Sequence, residues 1–273
     1  MTRDWSMLDF GLHQGLGLQS HAPREDLRLL AMVSTPDANG GLETLWQLCL
    51  HLQHLGYPVV VLDGTASETA HSPGLQDLLA QPAWADGLRT DDRTGAGTLA
   101  VLPAQQGLQT LARHNAPPAQ ALQRLHPWLR HYALVVLYAP LDMLASPLLE
   151  GSMATPLVLM QPGQTGVIGS YRQLKLLALH AGLTGLVACL GRSYPAQAQR
   201  LAQESLESLR RCAARHLGQQ PRTTLIRADR PQEMQRLALQ WLENACTLTA
   251  PMDQCALPLT YPQGTPAHFA QSH

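Results

Sequence analysis

The residues with the clearest chemical potential lie in one short loop, Ser34-Thr35-Pro36-Asp37-Ala38-Asn39-Gly40-Gly41-Leu42. It stands between an apolar run, Leu29 to Val33, and a stretch with helical spacing. A loop in that place is where phosphate normally sits. Backbone N–H groups point at the anion, and the dipole of the following helix favours it. A loop that works on nucleoside triphosphates has the form GxxxxGK[ST]. The glycines let the backbone close around the phosphates, the lysine neutralises them and the hydroxyl holds Mg²⁺. Counted back from the strand that ends at Asp63, Gly41 falls where the lysine belongs and Leu42 where the hydroxyl belongs. Pro36 removes a backbone donor, and Asp37 adds negative charge where an anion would lie. Ser34, Thr35 and Gly40 complete the loop positions. The architecture of a nucleotide site is there, and its charge chemistry is not.

No other constellation carries a reaction. His51 and His54 stand at i,i+3 on the first helical stretch and lack a third ligand, so no metal site is expected. Ser34, Ser152 and Ser170 have no nucleophile-elbow context. The cysteines Cys49, Cys189, Cys212, Cys246 and Cys255 have no paired metal spacing and read as reduced thiols.

The elements that must position the loop are legible around it. Leu29–Val33 reads as a strand. Leu42, Leu45, Trp46, Cys49 and Leu52 recur as a helix face, Gly56 and Pro58 end the helix, and Val59 to Leu62 is a second buried strand. Two such strands joined by one helix make a right-handed βαβ unit. Further strands read at Thr98 to Ala104, Tyr132 to Pro140, Thr155 to Pro162, Leu186 to Leu190 and Thr224 to Ala228. Helices are expected at Leu75 to Ala80, around Leu108 to Ala112, over Leu122 to Leu129, from Thr165 to Gly182, over Ala196 to Leu217 and over Pro231 to Cys246. Thr165 is the expected N-cap of its helix and Gly182 the C-cap. The predicted fold is a single α/β domain, a mostly parallel sheet of about seven strands with helices on both faces.

The 273 residues suffice for one such domain. Hydrophobic residues make up 45% and charged residues 14%, with a net charge of −1, so neither nucleic acid nor an anionic membrane is an expected partner. No apolar run approaches the ~20 residues that span a bilayer, and the N-terminus has no signal-peptide core. The expected location is the cytoplasm.

The stretch HLGYPVVVLDG and the order of elements resemble the MinD/ParA group of P-loop ATPases (the SIMIBI class), and within it the FlhG/FleN flagellar regulators. GQTGVIGSYRQLKLLALHAG, from Gly163 to Gly182, is similar to the group's helix after its TP turn, with Thr165, Tyr171, Lys175, Leu176 and Leu177 in register. The resemblance implies a P-loop NTPase-like, MinD-like fold. It also implies acidic residues on the strand YALVVLYAP, where Ala133 and Tyr138 stand at the two positions. The signature lysine that crosses an ATP-sandwich dimer corresponds to Pro36. Together with Gly41 and Leu42 these departures imply a degenerate Walker A loop and Walker B strand, no hydrolysis, and no expected ATP or ADP cofactor.

Residues 1–26 read as a flexible leader, 27–246 as the MinD/FlhG-like domain, and 247–273 as a proline-containing tail expected to be disordered. FlhG proteins carry a leader motif DQAxxLR that contacts the FlhF GTPase. His13 to Gln19 falls in its place, with Gln14, Leu16 and Leu18 as the expected partner-binding residues and His13 and Gln19 replacing the charged ends. The tail has no Lys or Arg, so the basic membrane-binding helix of FlhG relatives is not expected. The function implied is that of a pseudo-ATPase, a regulator or adaptor in the placement or number control of a polar machine such as the flagellum. Its partner is a protein, the FlhF GTPase or another component of that machine. Two alternatives stay open: a MinD-like accessory subunit of a secretion system such as cellulose synthase, and a nucleotide-binding ATPase with an unusual loop.

Overall fold

The computed structural model describes residues 27–34, 40–80, 99–113, 121–191 and 196–248. The loop positions Thr35, Pro36 and Asp37, the leader residues Gln14, Leu16 and Leu18, and the chain beyond 248 lie outside the described residues. In chain order the elements are β1 (Leu27–Val33), α1 (Gly41–His54), β2 (Val59–Asp63), α2 (Leu75–Ala80), β3 (Ala100–Pro103) and α3 (Gln105–Arg113). A 3-10 turn (Leu122–Leu125) then runs into α4 (His126–Leu129), followed by β4 (Leu134–Ala139), α5 (Leu141–Leu144), β5 (Leu157–Met160), α6 (Gln164–Ala181) and β6 (Leu186–Gly191). The last elements are α7 (Ala196–Leu217), β7 (Arg222–Arg227), α8 (Pro231–Leu242) and β8 (Cys246–Leu248).

The strands form one sheet in the order β3-β2-β4-β1-β5-β6-β7, every neighbour parallel, with β8 added antiparallel to the start of β1. Strands buried on both faces need apolar residues at every position rather than alternate ones. β4 meets this fully, with all six residues buried. Leu29, Ala31, Val33, Leu62, Val135 and Leu137 face one layer, which holds α2 to α7. Leu30, Met32, Val61, Val136 and Tyr138 face the other, built by α1 and α8. Each fully buried leucine contributes roughly 1.5–3 kcal/mol of transfer free energy, so this double burial holds the central strands in register.

Local signals set the helix limits. α1 starts after Gly40, whose φ of 110° lies in the left-handed region that favours glycine. The Gly40 carbonyl accepts the Thr44 N–H at 2.8 Å. α6 ends on Gly182 at φ 67°, with the Gly182 and Leu183 N–H groups donating to Ala178 and Leu177.

Four expectations need correction. Leu42 and Trp46 are not core: they are exposed, and the buried face of α1 is Gly41, Thr44, Leu45, Leu48, Cys49 and Leu52. The helix is rotated because α8 packs beside it as well as the sheet beneath. Helical spacing places Leu201 with Leu206, Leu209 and Cys212 on one apolar side of α7, yet Leu201 is likewise exposed, while Ala202, Leu206 and Leu209 are buried. Thr165 does not cap α6. The cap position is Gly163, whose N–H donates to Ser205 Oγ at 2.9 Å, and that hydroxyl donates to the Leu201 carbonyl at 2.6 Å. Finally, α8 stops at Leu242 and Cys246 opens β8, so ordered chain continues past the expected boundary at 246. β8 fills the lower half of β1, because β5 meets β1 only at Met32.

Candidate functional site

The central strand β1 feeds α1 and β2 on one side, while β5 lies on its other side. The order of strands therefore reverses at the C-terminal end of β1, the place where open α/β sheets bind ligands. Strand ends and loop residues build this crevice. The Ser34 N–H donates to the Ala139 carbonyl at 2.8 Å and continues the β1–β4 ladder one residue beyond the strand. Gly40 and the buried Gly41 open α1. Leu42, in the first turn, has 62% of its surface exposed. Asp63 ends β2 in register with Tyr138 on β4.

Asp63 is held by its own turn. Its carboxylate accepts the Thr65 N–H at 2.9 Å and the Thr65 hydroxyl at 2.6 Å. Its carbonyl accepts the Ala104 N–H at 2.9 Å, which ties β2 to the end of β3. The Gly64 N–H donates to the Tyr138 carbonyl at 2.8 Å. Gly64 can only be glycine here, since a Cβ would stand 2.8 Å from Cβ of Ala139. Tyr138 is 4% exposed, and burial, then the charge of Asp63, pushes its phenol above the usual range. It stays a neutral, bulky group at neutral pH.

The two strand positions, Ala133 and Tyr138, stand at opposite ends of β4. Tyr138 is at the crevice. Ala133 immediately precedes β4, at the N-terminal end of the strand, its N–H donating to the Pro58 carbonyl at 2.9 Å. Five residues of strand place them ~16 Å apart. Ala133 thus cannot belong to a site formed by the β1 and β4 ends, and only Tyr138 remains a site position on this strand.

None of the expected positions among the described residues (Ser34, Gly40, Gly41, Leu42, Asp63 and Tyr138) is a cation. The chain has a single lysine, Lys175. It is exposed on α6, eleven residues beyond the first residue of that helix, or ~16 Å along its axis. These residues do not fit a magnesium–triphosphate group, which needs positive charge on its β- and γ-phosphates. His51 and His54 remain together on α1, where burial, then the charge of His54, lowers the pKa of His51. Among the described residues no group of three or more potential metal ligands forms.

Sequence reasoning missed Glu68. Its side chain is buried, and its carboxylate accepts the Gln106 and Gly107 N–H groups, both at 2.8 Å, at the first turn of α3. An acid from the β2 loop thereby occupies the anion position at that helix start. The separation in sequence gave no signal of this. It also missed Thr44, a buried hydroxyl residue in the first turn of α1; a polar residue between Leu42 and Leu45 was the available sign.

Searches against protein-family profiles and against curated proteins find no match. Solved structures do match. A chain of the MinC:MinD cell division protein complex from Aquifex aeolicus is 12% identical over 79% of this chain and 95% of that one, with a TM-score of 0.50. The pNOB8 ParA bound to nonspecific DNA is 12% identical over 80% of this chain and 99% of that one, also with a TM-score of 0.50. At this identity the likeness is one of fold. The chain has the mostly parallel, helix-flanked sheet of MinD/ParA-type P-loop NTPases. Among the described residues no helix is long and apolar enough to cross a membrane.

Proposed function

We propose that this protein is a non-catalytic MinD/ParA-type chain, a pseudo-ATPase of FlhG-like character. In this reading it acts as a regulator or adaptor in the placement or number control of a polar machine, the flagellum, and binds a protein partner of the FlhF kind. One observation carries the loss of catalysis. At the switch point the first turn of α1 presents Leu42 to solvent and the end of β4 presents Tyr138, while the only lysine lies on α6. Phosphoryl transfer is almost entirely positioning and charge stabilisation. A crevice with one carboxylate and no cation at these positions supplies repulsion for a triphosphate instead. Tyr138 and the Asp63–Thr65 turn serve here as structure, filling the strand ends and fixing the loop that follows β2. The flagellar assignment rests on the resemblance at Gln14 and Leu18 and in the HLGYPVVVLDG stretch.

Nucleotide control of dimerisation is the property that separates this reading from that of an active switch. Light scattering of the purified chain with and without millimolar Mg-ATP is expected to give one unchanged mass. A monomer-to-dimer shift on adding ATP contradicts the reading. For the partner, a pull-down with FlhF is expected to succeed with the full chain and to fail after Leu18→Ala; equal capture of both removes the leader from the account.

A further inference from the structure

A cleft separates α5 from α6, just beyond the C-terminal end of β4. Its volume is about 470 Å³, within the range of small-molecule sites. One wall is Leu141, Asp142 and Ala145; the other is Arg172, Leu176 and His180, spaced at i, i+4 and i+8 along one ridge of α6. Leu141, Ala145 and Leu176 make the lining largely apolar. Asp142 and Arg172 face the same cleft, yet neither side chain has a hydrogen bond or ion pair among the described residues. Opposite charges that border one opening and do not close on each other leave the space between the walls open to a ligand.

We propose that this cleft binds a small amphipathic organic anion, one carboxylate on an apolar body. The guanidinium of Arg172 is permanently charged, and its planar fork matches a carboxylate in two parallel hydrogen bonds. His180, two turns along the same ridge, adds a second nitrogen-bearing group to that wall. Leu141, Ala145 and Leu176 take the apolar body. Asp142 sets the selectivity: a second anionic group on the ligand meets its carboxylate, so dicarboxylates are rejected. The site is independent of the adaptor reading, since it uses no residue of the β1 and β2 ends.

The test is a calorimetric titration of the full chain with sodium octanoate, with octanamide as the neutral analogue and suberate as the dicarboxylate. One octanoate per chain is expected, with octanamide and suberate each weaker by about tenfold or more, the size of one charge-assisted hydrogen bond. Arg172→Ala is expected to weaken octanoate by a similar factor, and Asp142→Asn to strengthen it a few-fold by removing a like charge. Both positions are exposed, so both variants keep the fold, and Arg210→Ala on α7 serves as the control that leaves binding unchanged. No binding at millimolar octanoate overturns the proposal. So does octanamide binding as tightly as octanoate, or an Arg172→Ala affinity equal to that of the unaltered chain.

Discussion

Asp63 and Tyr138 stand side by side at the C-terminal ends of β2 and β4, in register and beside the start of α1. The carboxylate is closed into its own turn through Thr65, and the phenol is buried within reach of its charge. This pair sets the electrostatics of the switch point: one negative group, one neutral group, and nothing at either position to attract a phosphate.

The pair has a signature in alkali. Burial, then the charge of Asp63, raises the Tyr138 pKa above the unfolded value of ~10. The folded state therefore favours the protonated phenol. That contribution is fully present below pH ~10 and is lost as pH rises through the folded pKa. Tyr138→Phe is expected to flatten the alkaline loss of stability relative to the unaltered chain, in urea melts across the alkaline range. Asp63→Asn is expected to lower the phenol's pKa, though not to the ordinary value, because burial remains. A phenolate titration by absorbance, taken as the difference from Tyr138→Phe, reads this directly. No change in the Asp63→Asn variant removes the charge coupling.

Glu68 gives a stability prediction. Its carboxylate answers two backbone N–H groups at the start of α3, and Glu68→Ala leaves both without it, the Gly107 donor being buried. The expected loss is about 1–3 kcal/mol in urea unfolding. Glu68→Gln keeps one acceptor and is expected to lose less. A Glu68→Ala chain as stable as the original shows that the helix start is satisfied in another way.

Two glycines of α6 divide in opposite directions. A Cβ on Gly166 would lie 1.8 Å from the Gln161 carbonyl oxygen, so Gly166→Ala must displace the first turn of the helix and lower the melting temperature. Gly169 has open space around the same position, so Gly169→Ala is expected to stabilise by ~0.5–1 kcal/mol through helix propensity. Melting curves of the two variants check both signs, and a shared sign contradicts the close approach at Gln161.

The strands were readable before the structure because a doubly covered parallel sheet demands apolar residues at consecutive positions, and Val59–Leu62 and Leu134–Ala139 supply them. Helix faces were less readable. α1 touches both the sheet and α8, so its buried arc is wider and turned away from Leu42 and Trp46. The strand Cys246–Leu248 was invisible as a three-residue run continuing a helical pattern, and it exists because the short β5 leaves the lower half of β1 unpaired. At the site, the identities of Asp63, Tyr138, Gly41 and Leu42 stood in the sequence. Their geometry did not. The separation of Ala133 from Tyr138 follows from strand direction, and the Glu68 cap joins residues 38 and 39 positions apart.

A crevice of this composition is expected not to hydrolyse nucleotide. This is tested most directly by phosphate release from purified full-length protein with Mg-ATP, measured beside a Gly41→Ala/Leu42→Ala variant as the background of the same fold. The two rates are expected to be equal and indistinguishable from buffer, because phosphoryl transfer depends on charge stabilisation and a crevice without a cation forfeits orders of magnitude in rate. Turnover well above buffer that falls away in the double variant contradicts that expectation.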